Sequence, residues 1–337
     1  MDWSQSYSSQ WRVYKVNRKT WADADRILNV DAVSVSRNAG GDLIESGSMD
    51  VTGDLETGYY RIVLVAEQGG EVKRVNVATL HFGIKDGEEN YGTTQQSAVG
   101  NSVLYPASTT TIVMGGYAPA GTDGAAYAGR LLASAINAPV KVEGHFTLNE
   151  NIVHEIGCYV IDAVWNILDA GNFCIQIDGS GVVHIKPMPT EPSLTIDSRN
   201  AKLLTPGIKF TADTNNLPNR YIVVIGDSKT IATNDDPNSE ISTVVRGYYV
   251  DEIDSSPTPI NGETIAAYAN RKLREASILN DERVYTREYA EDVNVNDIVR
   301  ASITGLNGDL RVISQAIKCE HGIQIEEKAN REIKLWH

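Results

Sequence analysis

The sequence has few cysteines and no long apolar run, and both absences narrow the class of protein. Its three cysteines, Cys158, Cys174 and Cys319, are sparse, and none forms a Cys-x-x-Cys pair. This argues against a disulfide framework and against a zinc site. Apolar neighbours predict that Cys158 and Cys174 are buried thiols. No run approaches the roughly 18 apolar residues of a membrane-spanning helix, and residues 1–7 do not resemble a signal peptide. We therefore expect synthesis in a reducing cytoplasm, with no membrane insertion by this chain.

Positive charge is scarce relative to negative charge. Lys and Arg number 30 against 44 Asp and Glu, so the net charge is −14. So acidic a surface repels phosphate backbones, which argues against nucleic-acid binding. Hydrophobic residues make up 42% and charged residues 22% of the chain, as in ordinary folded proteins. A length of 337 residues favours about two to four compact units.

Motifs for nucleotide binding and for catalysis are also missing. Four glycines precede a predicted helix, but Ala125-Ala126 stands where a phosphate loop needs Lys followed by Ser or Thr, which favours a linker and a helix start. His154-Glu155 begins like a zinc-protease motif, but the second histidine is absent. The G-x-S-x-G nucleophile motif is missing as well. No histidine is marked as catalytic by a neighbouring nucleophile and orienting group. The glycines are Gly115, Gly116, Gly121 and Gly124, and the histidines are His81, His145, His154, His184, His321 and His337.

Acidic and aromatic clusters leave alternatives open. Residues 234–240 are rich in Asp and Asn and could hold Ca²⁺, but Pro237 stands where a calcium loop needs Gly, so a solvated turn is favoured. The 44 acids include many possible carboxylate pairs for glycoside hydrolysis, and no pair is distinguished. Trp3, Trp11 and Trp21 could bind sugar, but packing in a core or interface is favoured. Residues 46–48 and 179–181 indicate a bulge or turn and a hairpin turn respectively.

Strand patterns dominate residues 11–104. Period-two alternation and turn residues predict five or six strands without a strong helix. Strands are predicted at residues 11–16, 30–36, 59–65, 72–82 and 95–104, with turns at 38–41 and 68–70. Many short strands in so short a segment are typical of a small barrel or sandwich.

The middle of the chain changes to helical spacing after a stretch rich in Pro, Gly, Ser and Thr. Apolar periodicity predicts helices at residues 125–136, with Thr122 or Asp123 as N-cap, and at 156–170, ended by Gly171-Asn172. Asp178-Gly179 between two alternating runs predicts a β-hairpin. Its strands are residues 173–177 and 182–185.

Prolines at 187, 189 and 192 mark a further linker, after which strand patterns return. Strands are predicted at residues 203–212, 220–226, 243–250, 298–303, 311–318 and 323–336. Residues 264–279 have helical spacing instead, with one apolar face that includes Leu273. The remaining members of that face are Ile265, Tyr268, Ala269, Lys272, Ala276 and Leu279.

The predicted fold class is therefore α+β, mainly β, with two small β-barrel-like domains. The first covers residues 1–105, and a linker follows at 106–121. A small α+β domain covers 122–187. The second barrel-like domain covers 188–337 and contains a helical insertion at 262–280. The two β units show no sequence repeat.

The order of these segments resembles the hub proteins of tailed-phage baseplates. That family also includes hub proteins of phage-like bacteriocins and contractile injection systems. Each motif is short, and together they extend over nearly the whole chain. The motifs are residues 11–17, 43–48, 58–62, 104–107, 175–187, 219–224, 234–239, 265–273 and 295–299.

The resemblance implies a structural protein, not an enzyme, without catalytic, cofactor-binding or metal-ligating residues. Three copies would form a ring whose six barrels match a six-fold tail tube and whose three-fold face receives a spike or fibre. The implied partners are further copies of the chain, a tail-tube or distal tail protein, and a spike, fibre or tape-measure protein. The implied location is the tail tip of the virion. The net charge adds the hypothesis of a negative channel through which DNA passes without adhering.

Two other functions remain open from the sequence. One is a carbohydrate-binding adhesin at the tail tip, because β units with exposed aromatic residues suit sugars. The other is a hydrolase with an unrecognised carboxylate pair. The native mass and glycan binding distinguish the first from a ring subunit, and turnover of a polymer distinguishes the second.

Overall fold

The computed structural model describes residues 8–90, 93–197, 208–255, 257, 263–288, 293–303, 305–319 and 323–336. The chain divides into two compact units. The first contains Met1–Ile208 and Val284–Ala329, and the second contains Lys209–Arg283 and Asn330–His337. The secondary structure is mainly strand, so the predicted α+β, mainly β class is confirmed. None of the helices in the described ranges is long and apolar enough to span a membrane.

The strands and helices of the described residues are numbered in chain order. The strands are β1 Ser8–Val16, β2 Asp23–Ile27, β3 Val30–Asn38, β4 Glu45–Thr52, β5 Gly58–Gln68, β6 Glu71–Asn90, β7 Thr93–Asn101, β8 Gly116–Ala118, β9 Val140–Val142, β10 Ile152–His154, β11 Phe173–Ile177, β12 Val183–Pro187, β13 Pro192–Asp197, β14 Lys209–Thr211, β15 Arg220–Ile225, β16 Ser228–Thr233, β17 Asp251–Asp254, β18 Ile278–Glu288, β19 Ile298–Ile303, β20 Leu306–Cys319 and β21 Ile323–Lys334. The helices are α1 Tyr105–Thr109, α2 Gly124–Ala135, α3 Val160–Gly171, α4 Thr243–Arg246 and α5 Ile265–Ala276.

One large sheet organises the first unit. Its strands follow the order β21-β20-β3-β4-β7-β6-β5-β1-β2, and β19 also pairs with β20. The antiparallel β20–β3 ladder runs from Ser314 opposite Asn38 to Cys319 opposite Val33. The two predicted β units therefore share a sheet, and the described strands do not form a closed barrel. The alternation of apolar and polar residues shows which face of a strand is buried but does not identify the neighbouring strand, so this pairing was not predicted.

Close strand packing explains Gly47. The sequence predicted a bulge or turn at residues 46–48, and that prediction is wrong because these residues lie within β4 and pair with β3 and β7. A Cβ at Gly47 would lie 2.6 Å from Leu80 Cδ1 and 2.7 Å from Ser34 O. Glycine at this position lets the side chains of β6 cover the strand.

A buried ionic network ties N-terminal to C-terminal strands of the first unit. Arg37 donates to Glu45 Oε1 over 2.6 Å, to Gln315 Oε1 over 3.2 Å and to the Val77 carbonyl over 2.6 Å. Gln315 donates in turn to Glu327 Oε1 over 2.8 Å, and Arg287 binds both oxygens of Glu327.

Charge balance makes this network compatible with burial. Burial alone raises the pKa of the Glu327 carboxyl, but the charge and hydrogen bonds of Arg287 outweigh it, so the pKa lies below its ordinary value. Glu327 therefore remains ionised and keeps Arg287 paired inside the unit. Two carboxylates and two guanidiniums leave the network formally neutral.

Two helices and a three-stranded sheet follow in the first unit. The sheet has the order β11-β12-β9. The predicted hairpin is confirmed, with Phe173 opposite Pro187 and Ile177 opposite Val183. Asp123 caps α2 by accepting from Ala126 N over 3.2 Å, and Asn172 ends α3 in the left-handed conformation, as the sequence predicted. α3 begins four residues later than predicted, because residues 157–160 pair with residues 110–112 through backbone hydrogen bonds.

The hairpin turn at residues 178–181 packs against β6. Ser180 O accepts from Trp21 Nε1 over 2.7 Å and from Arg61 Nη2 over 2.9 Å. Thr79 Oγ1 donates to Gly179 O over 2.9 Å. A Cβ at Gly179 would lie 1.8 Å from Asn76 O, a backbone atom that has no rotamer by which to move away.

We expect Gly179→Ala to lower the free energy of unfolding of the first unit by about 1–3 kcal/mol, because the turn must move off β6 and lose these hydrogen bonds. Urea denaturation measures the change. Gly83→Ala is the matched control, since Gly83 lies on the same strand β6 and a Cβ added there would have no heavy atom within 4 Å. Equal stability of the two variants contradicts the packing described for Gly179.

The second unit contains a small sheet covered by α5. The sheet has the order β16-β15-β17. Thr264 caps α5 by accepting from Ala267 N, and Tyr268, Ala269 and Leu273 of α5 pack with Tyr221, Val223 and Ala232 of the sheet. The predicted helix is confirmed over Ile265–Ala276, with Tyr268, Ala269 and Leu273 buried, but its predicted end is wrong because Leu279 lies in β18. Trp336 packs against the same cluster.

One strand predicted in this unit is wrong. Residues 243–250 were predicted to be a strand because they form a short apolar run, but Thr243–Arg246 form α4. Ser242 caps that turn by accepting from Val245 N, and Gly247 ends it at a φ of 73°. The two end signals therefore outweigh the β preference of the valines. Of the strand predicted at 203–212, the described part is β14, and residues 203–207 lie outside the described residues.

Candidate interaction surfaces

The motifs weighed for catalysis serve structural roles where they are described. The histidine rings of His81, His154 and His184 contact aromatic or acidic side chains of the fold. His145 is exposed, and His321 and His337 lie outside the described residues. Within the described ranges, no group of three or more His, Cys, Asp or Glu is placed to hold a metal ion.

The glycine-rich and acidic segments also have structural roles, through packing in the first case and internal hydrogen bonds in the second. Gly124 begins α2 beneath Phe146, where an added Cβ would lie 2.3 Å from Cε2 of that ring, while the Asp123 carboxylate caps the helix. In the segment 234–240, Asp236 Oδ1 accepts from Asn238 N over 2.9 Å. Asn234 Oδ1 accepts from Asp236 N over 3.2 Å. The segment is a hydrogen-bonded turn, as predicted.

Two of the three tryptophans near the N-terminus are packed. Trp21 lies against Tyr59, with 5.1 Å between ring centroids, and its indole N–H binds the hairpin turn. Trp11 packs against the core of the large sheet. Both positions match the predicted core role, and Trp3 lies outside the described residues.

The cysteines are free thiols. Burial raises the pKa of Cys174 to about 11 and that of Cys319 to about 12, so both remain protonated and unreactive at neutral pH. Cys158 was expected to be buried, but it is only partly so because it lies on the surface ribbon described next.

A two-stranded ribbon of residues 110–118 and 152–160 exposes apolar side chains. It contains β8 and β10, with Tyr117 opposite Val153, and it continues through hydrogen bonds between Ile112 and the backbone of residues 157 and 158. Six of its large apolar side chains are between 46% and 90% exposed, and these are Val113, Met114, Tyr117, Val153, Ile156 and Tyr159. Such a concentration is typical of a protein-binding surface.

The inner side of the ribbon is held against α2. Ala118 is buried, and the His154 ring stacks on Tyr127 at 6.1 Å between centroids. Burial lowers the pKa of His154, which keeps the ring neutral at physiological pH. The ribbon therefore presents one packed face and one apolar exposed face. Residues 106–121 were predicted to be a linker, although the apolar residues within that stretch were a detectable sign of this surface.

A smaller apolar row lies on the second unit. Ile222 pairs directly with Ile231 on one side and with Ile253 on the other. Ile231 and Ile253 are exposed, and the three lie on the sheet face opposite the residues that contact α5. The unit thus buries one face of its sheet and leaves isoleucines on the other.

Known protein structures share the fold of this chain, but no sequence family matches it. No family model and no curated protein matches the sequence. The 43 kDa tail protein of prophage MuSo2 from Shewanella oneidensis is similar with a TM-score of 0.65 at 12% identity, over 96% of this chain and 98% of that chain. A tail protein from Neisseria meningitidis MC58 has a TM-score of 0.64 at 14% identity, over 96% and 97%.

A third similar structure belongs to a complex from Francisella. A chain of the Francisella PdpA-VgrG complex has a TM-score of 0.56 at 8% identity, over 97% of this chain and 53% of that chain. The fold is therefore one shared by tail proteins, among them that of prophage MuSo2, and the resemblance predicted from the sequence is confirmed at the level of the fold.

Proposed function

We propose that the chain is a structural subunit at the tail tip of a phage or phage-like particle. The observation that carries this proposal is the end-to-end fold similarity to two tail proteins, one of them from prophage MuSo2, which leaves almost no part of either chain unmatched. A structural role also agrees with the packed roles of the residues weighed for catalysis. The protein would then be located in the virion, and its role would be structural and not enzymatic.

The proposal extends to a hub made of three copies in a ring. The ring adapts the six-fold tail tube to a three-fold spike or fibre. The partners are the tail-tube or distal tail protein and a spike, fibre or tape-measure protein. The net charge of −14 supports a negative channel for DNA in transit.

The apolar ribbon supports contact between copies. Large exposed apolar side chains on both strands are costly to leave in water, and ring closure covers the same surface on every copy. We therefore propose that the ribbon is the surface that contacts the neighbouring copy in the ring.

We expect the purified chain to be a trimer by light scattering, and Met114→Lys/Ile156→Lys to weaken association at least tenfold, because charge replaces buried apolar contact. The control is Leu28→Lys/Val72→Lys, which changes two similarly exposed apolar residues outside the ribbon. A ribbon variant that associates as well as its control contradicts the assignment, and a wild-type chain that stays monomeric contradicts the ring.

A further inference from the structure

A cleft of about 760 Å³ opens beside the loop that joins β1 to β2 in the first unit. Its volume lies within the range of small-molecule sites, roughly 300–1,000 Å³. The loop forms one wall, the starts of β5 and α1 form others, and His81 and Asn101 contribute from β6 and β7. The cleft is therefore built from separate segments that the sheet brings together.

The charge of the cleft opposes that of the chain. Its lining contains Lys15, Arg18 and Lys19 but no carboxylate, although acids outnumber bases over the whole sequence. Glu56, outside the lining, pairs with Lys15. The side chains of Arg18 and Lys19 form no hydrogen bond or ion pair with any residue that the structure describes. Two cationic groups are thus left available on a protein of net charge −14, and a cleft lined by one sign of charge concentrates ions of the other sign.

The loop that carries these cations is held in place by its own hydrogen bonds. Asn17 Oδ1 accepts from Lys19 N over 2.9 Å and from Thr20 N over 3.2 Å. Asn17 O accepts from Trp21 N over 2.7 Å, and Asn17 N donates to Ala22 O over 2.9 Å. The Trp21 indole anchors the end of the loop on the hairpin turn. A loop fixed before binding loses little conformational entropy when a ligand arrives.

The other lining groups are neutral and polar. Burial lowers the pKa of His81, so its ring is uncharged at neutral pH. The ring can therefore form hydrogen bonds with a ligand without adding charge to the cleft. The amides of Asn101 and Asn137 add donors and acceptors. The half-exposed Tyr105 ring lies at the same cleft.

We propose that this cleft binds a phosphate group, either as the free anion or carried on a small sugar phosphate. A phosphate group has a charge of about −1.5 to −2 at neutral pH and three strong acceptor oxygens, which matches two available cations and their donors. Arg18 and Lys19 bind the phosphate oxygens, and the amides and Tyr105 contact the carrier. The proposal does not depend on the tail-tip role.

Titration calorimetry at low ionic strength with inorganic phosphate, glucose 6-phosphate and glucose tests the proposal. We expect both phosphate compounds to bind and glucose not to bind. Arg18→Gln/Lys19→Gln should weaken phosphate binding at least tenfold, because each charged hydrogen bond lost is worth about that factor or more. The control Arg26→Gln/Lys229→Gln removes the same charge from exposed residues outside the cleft, and it should bind as the wild type does.

The outcomes separate the two sources of phosphate. Equal affinity for both compounds assigns the cleft to the free anion, and tighter binding of glucose 6-phosphate assigns it to the sugar phosphate. Either result supports the proposal. No binding of either compound at millimolar concentration overturns it, as does equal loss of binding in the control pair, since binding then follows net charge alone.

Discussion

Leu273→Asp is expected to unfold the second unit, lowering its free energy of unfolding by at least about 4–5 kcal/mol. Leu273 is fully buried on α5 against Tyr221 and Val223 of the small sheet. The substitution removes apolar contacts and places a carboxylate where no cation packs with it in that cluster. Circular dichroism during urea denaturation, with Trp336 fluorescence reporting on the same cluster, measures the loss.

The solvent side of the same helix provides the control. Ala266 is exposed in the first turn of α5, where an acidic side chain is favoured by the helix dipole. Ala266→Asp should therefore change the stability by less than about 0.5 kcal/mol. A Leu273→Asp protein with wild-type stability shows that the buried face of α5 has been assigned wrongly.

Arg37→Met should lower the free energy of unfolding of the first unit by about 3–5 kcal/mol. The shape of the side chain is roughly kept, but Glu45 loses its bond to a guanidinium, and Gln315 and the Val77 carbonyl each lose a donor. Unpaired charge inside a protein costs more than the lost contact itself. Thermal and urea midpoints followed by fluorescence give the magnitude.

Two further variants separate charge from packing. Arg300→Met breaks the exposed pair with Asp309 and should leave the midpoint near that of the wild type. Arg37→Met/Glu45→Met should be more stable than Arg37→Met alone, because it also removes the buried carboxylate that Arg37 binds. If the double variant is the less stable, Glu45 does not carry the cost that we assign to it.

Local signals in the sequence were sufficient for several elements. Asp178-Gly179 predicted the β11–β12 hairpin, Thr122 or Asp123 predicted the start of α2, and the spacing of Tyr268, Ala269 and Leu273 predicted the buried face of α5. Each of these signals lies within a short stretch of chain, and its physical cause is a turn, a cap or a helical repeat. The general class followed from the same signals.

Long-range pairing had no such signal. Arg37 and Gln315 are 278 positions apart, and the sequence around each residue gives no sign that the other will be its hydrogen-bond partner. The β20–β3 ladder, the cleft beside Lys19 and the ribbon all depend on segments that meet only after folding. At residues 243–250 the local signals conflicted. The apolar run predicted a strand, but the N-cap at Ser242 and the glycine at 247 favour the short helix α4 that forms.

An electron-microscopy image of the purified assembly tests the central proposal most directly. The proposal predicts a three-fold ring with a central opening, from particles with a mass near three times the 36.8 kDa of the chain. The ribbon variant Met114→Lys/Ile156→Lys should lose the ring while its second unit and large sheet stay folded. Particles without three-fold symmetry, or single chains at every concentration tested, would contradict a tail-tip ring subunit.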